Sequence, residues 1–474
     1  MQSVEYCSPV NVSQQELFAW HERPGAFERL LPPWEDVRIL EKKGGLRDGD
    51  TTTLSVKVGP FRKKWVARHS GYEPPRQFRD EQVEGPFKSE VHTHVVLPSP
   101  DGNESRSILV DHIDFEPPPG ALGRLLTGNT IRRSFDQKFL FRHRRTQNDS
   151  TRHARFKSAG PLRVLISGAS GLIGTALKWF LTTGAHQVDV LVRHPADPDK
   201  NEIRWDPLAG TIDAAALEGV DAVVHLSGER LSAGRWTEER KRRFAESRVK
   251  STDLLSRTLA GLKRRPAVMV SASAIGMYGD RGDEPLTESS PKGTGFLPDL
   301  CQQWEDAARP ASNAGIRVVH PRIGIVMSAR GGALATMLPP FKLGGGGVIG
   351  SGKQYMSWIA LDDLVAIFHE VIFNPLLSGA VNATAPTPVT NHEFVKTLGR
   401  VLNRPTFLPL PAAVVNLVFG EMGKHLLLEG ARVLPGRLEA IGFSFLYPTL
   451  ERALRSELGR QRIPPMWGDA NFSS

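Results

Sequence analysis

Two patterns of hydrophobic and polar positions divide this chain of 474 residues. Up to about residue 117, apolar and polar residues alternate in short runs, clearest in VHTHVVL and ILVDHIDF. A period of two is that of a half-buried strand. SVEYCSPVNV, TTTLSVKVG, FRKKWVARHSGY, RQFRDEQVEG, FKSEVHTHVVLP and SRSILVDHIDFEP are predicted strands, separated by Gly, Pro and Asp-Gly turn signals. Two short helices follow the first strand: SQQELFAWH, capped by Ser13, and PGAFERLL, with Pro24 near its start. Ile131, Phe135 and Phe139 recur at i, i+4 and i+8, which puts three large apolar groups on one face of a further helix.

From Thr146 to Gly160 the chain is polar, basic and without periodicity, and it reads as a linker. After it, apolar runs alternate with helical patterns: RVLISG, a helix from Gly171 to Thr183, QVDVLVR, DAVVHLSG, a long helix through WTEERKRRFAESRVKSTDLLSRTLAGL, AVMVSASA and IRVVHPRIGIVM. That succession predicts a doubly wound parallel sheet, so the fold class is α/β, preceded by an α+β domain. The expected boundaries are 1–150 for the first domain, 151–160 for the linker, 161–385 for the α/β domain and 386–474 for a smaller C-terminal lobe interleaved with it.

Composition narrows the function little. Hydrophobic residues at 40% and charged residues at 23% are ordinary for a globular protein. Cys7 and Cys301 are the only cysteines, which argues against a disulfide scaffold and fits a reducing cytoplasm. No signal peptide and no membrane-spanning run is read. The net charge of +9 is concentrated: nine Lys or Arg face two Asp between Ile131 and Lys157. Without a nucleic-acid-binding motif, this charge reads as a solvated helix face and no nucleic-acid partner is expected. The histidines are scattered, His92 and His94 alternating on one strand and His225 lying in another, and no metal site is expected.

The candidate chemistry begins at VLISGASGLIG. Gly168, Gly171 and Gly174 follow a buried-type strand and open a helix, the layout that lets backbone approach a pyrophosphate at a helix N-terminus. Ser170, Leu172 and Ile173 lie in the same loop. Arg193 ends the second strand, where an NAD site usually carries Asp or Glu; a guanidinium there suits a 2′-phosphate, so NADP(H) is expected over NAD(H). Leu226 and Gly228 end the fourth strand and Ala272 the fifth, at the cofactor edge. Ser273 lies where a hydroxyl could meet a substrate oxygen. Tyr278 follows it as a proton donor or, on the other reading, a packed aromatic. Glu229, Arg235, Trp236, Arg248 and Trp358 are the expected substrate contacts.

These residues, with HLSGE, SASAIGMYGD, GGALATMLPPFKLGGGG, SWIALDDLV and LLLEGARVLP, resemble the extended short-chain dehydrogenase/reductases. More narrowly they resemble the atypical "epimerase family" branch of the NAD-dependent epimerase/dehydratase superfamily, which ends in a domain of unknown function. The resemblance covers about residues 162–457. It implies a Rossmann fold that binds NADP, with no known substrate. The first 150 residues are similar to START-like, polyketide-cyclase-type helix-grip domains, on element order and the string RPGAFERLLPPWEDV; such domains often enclose an apolar cavity, which implies room for an apolar ligand.

The superfamily's active-site Ser/Thr falls on Ser273. Its Tyr-x-x-x-Lys falls on Leu297 and Cys301, or on Phe296 and Leu300 one residue earlier, and neither register supplies a phenol or an amine. Arg248 stands at the superfamily's Asn and Ala360 at a later His. Two functions are therefore expected. One is an NADP-dependent oxidoreductase or epimerase-like enzyme with a small carbonyl, alcohol or sugar-nucleotide substrate. The other is a non-catalytic NADP(H)-binding protein that couples cofactor state to ligand binding in the first domain.

Overall fold

A computed structural model describes residues 1–117, 128–232 and 234–465. The chain divides into two compact units. One holds residues 1–160 with 182–185 and the segment from Ser456 on; the other holds 161–181 and 186–455. The final nine residues of the expected C-terminal lobe, 466–474, lie outside the described residues.

The first unit runs β1 (Gln2–Val10), α1 (Gln14–Glu22), α2 (Ala26–Leu30), β2 (Val37–Lys43), β3 (Thr51–Val58), β4 (Phe61–Glu73), β5 (Gln77–Glu84), β6 (Ser89–Pro98), β7 (Ser107–Glu116) and α3 (Gly128–Arg155). Its sheet has the order β1-β7-β6-β5-β4-β3-β2. Ser13 caps α1 as expected, accepting from the Glu16 amide. The long helix lays Ile131, Phe135 and Phe139 against Val4, Tyr6, Ile113 and Phe115, so a curved antiparallel sheet grips α3 through one apolar cluster. A second cluster, around Leu17, Phe18, Phe78, Val96 and Leu109, seats α1.

Two expectations change here. The stretch from Thr146, read as a linker, is helical as far as Arg155. Polar residues hold those turns: Asp149 accepts two bonds from Arg29, at 2.7 and 2.6 Å, and both side chains are buried. A polar buried face gives no hydrophobic period to detect. The other change is β2, whose charged sequence VRILEKK shows no alternation because it is an exposed edge strand.

The second unit contains β8 (Arg163–Ser167), α4 (Leu172–Thr183), β9 (Gln187–Val192), β10 (Glu202–Asp206), β11 (Ala222–His225), α5 (Glu238–Gly261), β12 (Val268–Ser271), α6 (Phe296–Asp306), β13 (Arg317–Ile323), α7 (Leu361–Phe373) and β14 (Gly379–Ala383). The strands lie parallel in the order β10-β9-β8-β11-β12-β13-β14. This is the Rossmann-type order, whose direction of winding reverses at the β8/β11 crevice. Strands buried on both faces need continuous apolar runs. VLI of β8, AVV of β11 and VMV of β12 supply them, each residue at most 1% exposed. Leu255 and Leu259 of α5 cover one face together with Leu217, Val220 and Ile316. No helix among the described residues is long and apolar enough to cross a membrane.

Candidate nucleotide site

The β8/β11 crevice is built by close backbone contact. Gly168 has φ +73°, and a Cβ there would lie 2.9 Å from the Leu226 carbonyl. At Gly174 a Cβ would meet the Gly168 oxygen at 2.4 Å and Ala169 Cα at 2.7 Å. Side chains at either position would push α4 away from β8 or the loop away from β11. Ser170 and Gly171 are exposed at the mouth of the loop, and Leu172 and Ile173 are half-buried behind it. The free N-terminal amides of α4 make this an anion-binding end.

The strand ends are pinned from below. His225 is fully buried between Ser167 Oγ, 2.6 Å from Nδ1, and Ser251 Oγ, 3.2 Å from Nε2. Burial with no charge beside it pulls the His225 pKa down to about 3, so the ring is neutral. Ser167 Oγ also accepts from the Leu226 amide, which fixes the turn out of β11. Ala272 is held by its own amide on the His225 carbonyl. At the end of β9, Arg193 is exposed and makes no hydrogen bond or ion pair among the described residues. Asp189, farther back in β9, is taken by Arg163 at 2.6 Å. A glycine cradle at a helix N-terminus fits the pyrophosphate of a dinucleotide.

The residues beyond the cofactor edge form a buried chain of bonds. Ser273, in a two-residue strand beside β13, pairs in register with Arg322. Its hydroxyl donates to Glu305 Oε1 at 2.7 Å. Glu305 and Arg322 form a two-point ion pair, 2.9 and 3.0 Å. Arg322 then donates to Tyr278 OH at 3.0 Å, and the phenol donates to Asn382 Oδ1 at 2.7 Å. Ser273 is 2% exposed and Tyr278 0%. Burial raises the Tyr278 pKa despite the arginine beside it. The arginine that meets this phenol is Arg322. Sequence reasoning missed Glu305, Arg322 and Asn382; Arg322 and Asn382 show only as polar residues inside largely apolar runs, and Glu305 is one charge among several in CQQWEDAA.

At the dyad positions, Leu297 and Cys301 face Gly276, with Leu297 Cβ and Cys301 Sγ 3.5 and 3.6 Å from where its Cβ would be. Burial, reinforced by Glu305, pushes the Cys301 thiol up to about 12. It is a buried, protonated thiol at neutral pH.

The expected substrate contacts scatter. Arg248 is buried with Nη2 donating to the Glu229 carbonyl at 2.9 Å and Nη1 to the Phe244 carbonyl at 3.2 Å. It lies over Trp304 and beside Gly228, so it, Glu229 and Gly228 come together at the exit of β11. Arg235 instead binds the carbonyls of Val418 and Leu417. Trp236 packs with Phe244, Leu300 and Met422, its Nε1 donating to the Leu231 carbonyl. Trp358 is fully buried, its Nε1 spent on the Thr387 carbonyl.

A doubly wound parallel sheet with this glycine loop at its switch point defines a dinucleotide-binding protein. The chain belongs to the NAD dependent epimerase/dehydratase family, whose members bind NAD(P), and residues 164–382 match it. Residues 410–457 match a domain of unknown function (DUF1731), and residues 10–138 the polyketide cyclase / dehydrase and lipid transport family. The epimerase family protein Mb2239 of Mycobacterium bovis is 45% identical over 61% of this chain and 96% of its own length. A crystal structure of the Corynebacterium glutamicum nucleoside-diphosphate sugar epimerase is 32% identical, covering 98% of this chain and 91% of that one, with a TM-score of 0.78. The human epimerase family protein SDR39U1 (isoform 2), solved with NADPH, is 36% identical over 63% of this chain and 100% of its own, with a TM-score of 0.59.

Proposed function

We propose that this protein binds NADP(H) in preference to NAD(H), and that it does so without the phenol–amine chemistry usual in short-chain dehydrogenases. The observation that carries the cofactor preference is Arg193, exposed and unpaired at the end of β9. A guanidinium there offers charge-assisted bonds to a 2′-phosphate. Gly168, Ser170, Gly171, Leu172, Ile173 and Gly174 would hold the pyrophosphate, with Leu226, Gly228 and Ala272 along the remaining edge. Bound there, the cofactor would supply a hydride donor or acceptor. The burial of Ser273 and Tyr278, and the commitment of both hydroxyls to inward bonds, supports a binding role over acid–base work. Calorimetry with NADPH and NADH, beside a screen for NADPH oxidation over carbonyl substrates, tests this. Tight NADPH binding without turnover supports it; tighter NADH binding overturns the preference, and sustained turnover overturns the binding role.

A second reading is an oxidoreductase or epimerase-like enzyme acting on a small carbonyl or alcohol, or on a sugar nucleotide. The bond from Ser273 Oγ to Glu305 favours it, because a carboxylate one hydrogen bond behind a hydroxyl can move a proton. The crystal structure described as a nucleoside-diphosphate sugar epimerase leans the same way. On this reading, Ser273→Ala and Glu305→Gln remove turnover while leaving NADPH affinity within about twofold, a change of under 0.5 kcal/mol.

A further inference from the structure

The strand register of the first unit stacks a row of ionisable side chains that lie apart in sequence. His69 on β4 pairs with Asp80 on β5, Asp80 with His92 on β6, and His94 on β6 with Asp111 on β7. The α3 helix adds His143, whose Nε2 lies 2.7 Å from Asp111 Oδ2. The four histidines and Asp111 are all buried. Asp111 takes one nitrogen of each β6 ring: His92 Nε2 at 2.9 Å and His94 Nδ1 at 2.6 Å. That leaves His92 Nδ1 and His94 Nε2, and His94 Nε2 lies 3.4 Å from Asp80 Oδ2. One donor atom from each of Asp80, His92 and His94 falls within 4.8 Å of the others.

We propose that Asp80, His92 and His94 bind a divalent first-row transition-metal ion, with Asp111 orienting both imidazoles from behind. Two histidines and one carboxylate are a known donor set for such ions, leaving coordination positions open. A carboxylate on the far nitrogen of a ligating imidazole is the usual outer support. A second observation points the same way. His69 Nδ1 and Asp80 Oδ1 approach to 2.6 Å, as do His94 Nδ1 and Asp111 Oδ1, yet outside hydrogen-bond geometry. The first two atoms and His94 Nδ1 are therefore buried without a hydrogen-bond partner. Two buried carboxylates whose imidazole neighbours meet them at short range but in poor hydrogen-bond geometry favour a cation among these rings. Asp80 keeps 27% of its side-chain surface accessible, which leaves room beside the carboxylate. Phe78 stacks on His94 at 4.3 Å and Phe139 meets the edge of His92 at 5.1 Å, so aromatic rings line the rest of the site. The apolar-ligand expectation for this domain therefore meets a polar centre.

The test uses the untagged full chain, stripped with a chelator and titrated with Zn(II) and Co(II). One equivalent per chain is expected, with a melting temperature that rises with free metal. His92→Ala and His94→Ala should abolish that binding, and Asp111→Asn should weaken it about tenfold to a hundredfold. His112→Ala, on the same strand as Asp111 but 38% exposed, should change nothing. Absence of binding, or binding indifferent to the His92 and His94 substitutions, overturns the proposal. If those variants misfold, Co(II) in the unaltered chain decides: paramagnetic shifts on two buried histidine rings support the site, and their absence overturns it.

Discussion

Two buried histidines, His225 in the parallel sheet and His94 in the antiparallel one, have opposite fates. Both are buried in a sheet. His225 sits between two serine hydroxyls, and burial alone drives its pKa down to about 3. For His94 burial pulls the same way, but Asp111 and Asp80 outweigh it and push the pKa up to about 9, so a metal ion binding there would displace a proton. Depth therefore does not decide charge; partners do. The networks around them differ likewise. From Ser273 to Asn382 each successive group is bonded to the next, whereas the β4–β7 row leaves polar atoms unmatched. A completed network fixes structure, and an incomplete one is free to take a ligand.

Acid should strain the neutral histidine most. His225 has a folded pKa below its unfolded value, so its contribution is full above about 6.5 and is lost as pH falls toward 3. The loss is on the order of 5 kcal/mol over that window. The melting temperature of the second unit should fall steeply there, and His225→Asn should flatten the curve; an unchanged slope would count against a neutral ring. Next in size, Arg322→Met strands Glu305 as an unpaired buried charge and should cost about 3–5 kcal/mol in chemical denaturation. Arg193→Ala touches neither network. It should weaken NADPH binding by about 2 kcal/mol, roughly thirtyfold, while NADH binding stays level. Smallest is Tyr278→Phe, expected to cost about 1 kcal/mol of stability. It also separates the two roles of this phenol, since any turnover that survives the change cannot depend on its proton.

The parallel sheet was legible because its signals are local. VLISGASGLIG holds strand, turn and helix start within eleven residues, and the glycines are required where a Cβ would lie 2.4 to 2.9 Å from neighbouring backbone. The Leu297 and Cys301 substitution could also be read directly, and the structure adds that Cys301 is a protonated thiol rather than a replacement base. What could not be read was assembled by topology. Ser273 meets Arg322 because their strands are neighbours, and Asn382 arrives with β14. His69, Asp80, His92, His94 and Asp111 come from four strands, and only the register aligns them. Alternation did put His92 and His94 on one face, but it could not say what lay opposite. Trp358 went the other way: an aromatic near the expected substrate lobe proved to be core.

The polar edge strand β2 has a consequence for how these molecules behave in company. An open sheet ends in a strand with unsatisfied amides and carbonyls, a template on which another chain can polymerise. Here that strand carries Glu41, Lys42 and Lys43, and its pairing slips between Ile39 and Glu41. Lys42 is tethered to Glu28 and Lys43 lies by Glu41. Charge and a broken register together deny an incoming strand both its side-chain contacts and its ladder. Strand-on-strand association is thus disfavoured at this border of the sheet, where apolar alternation has been given up.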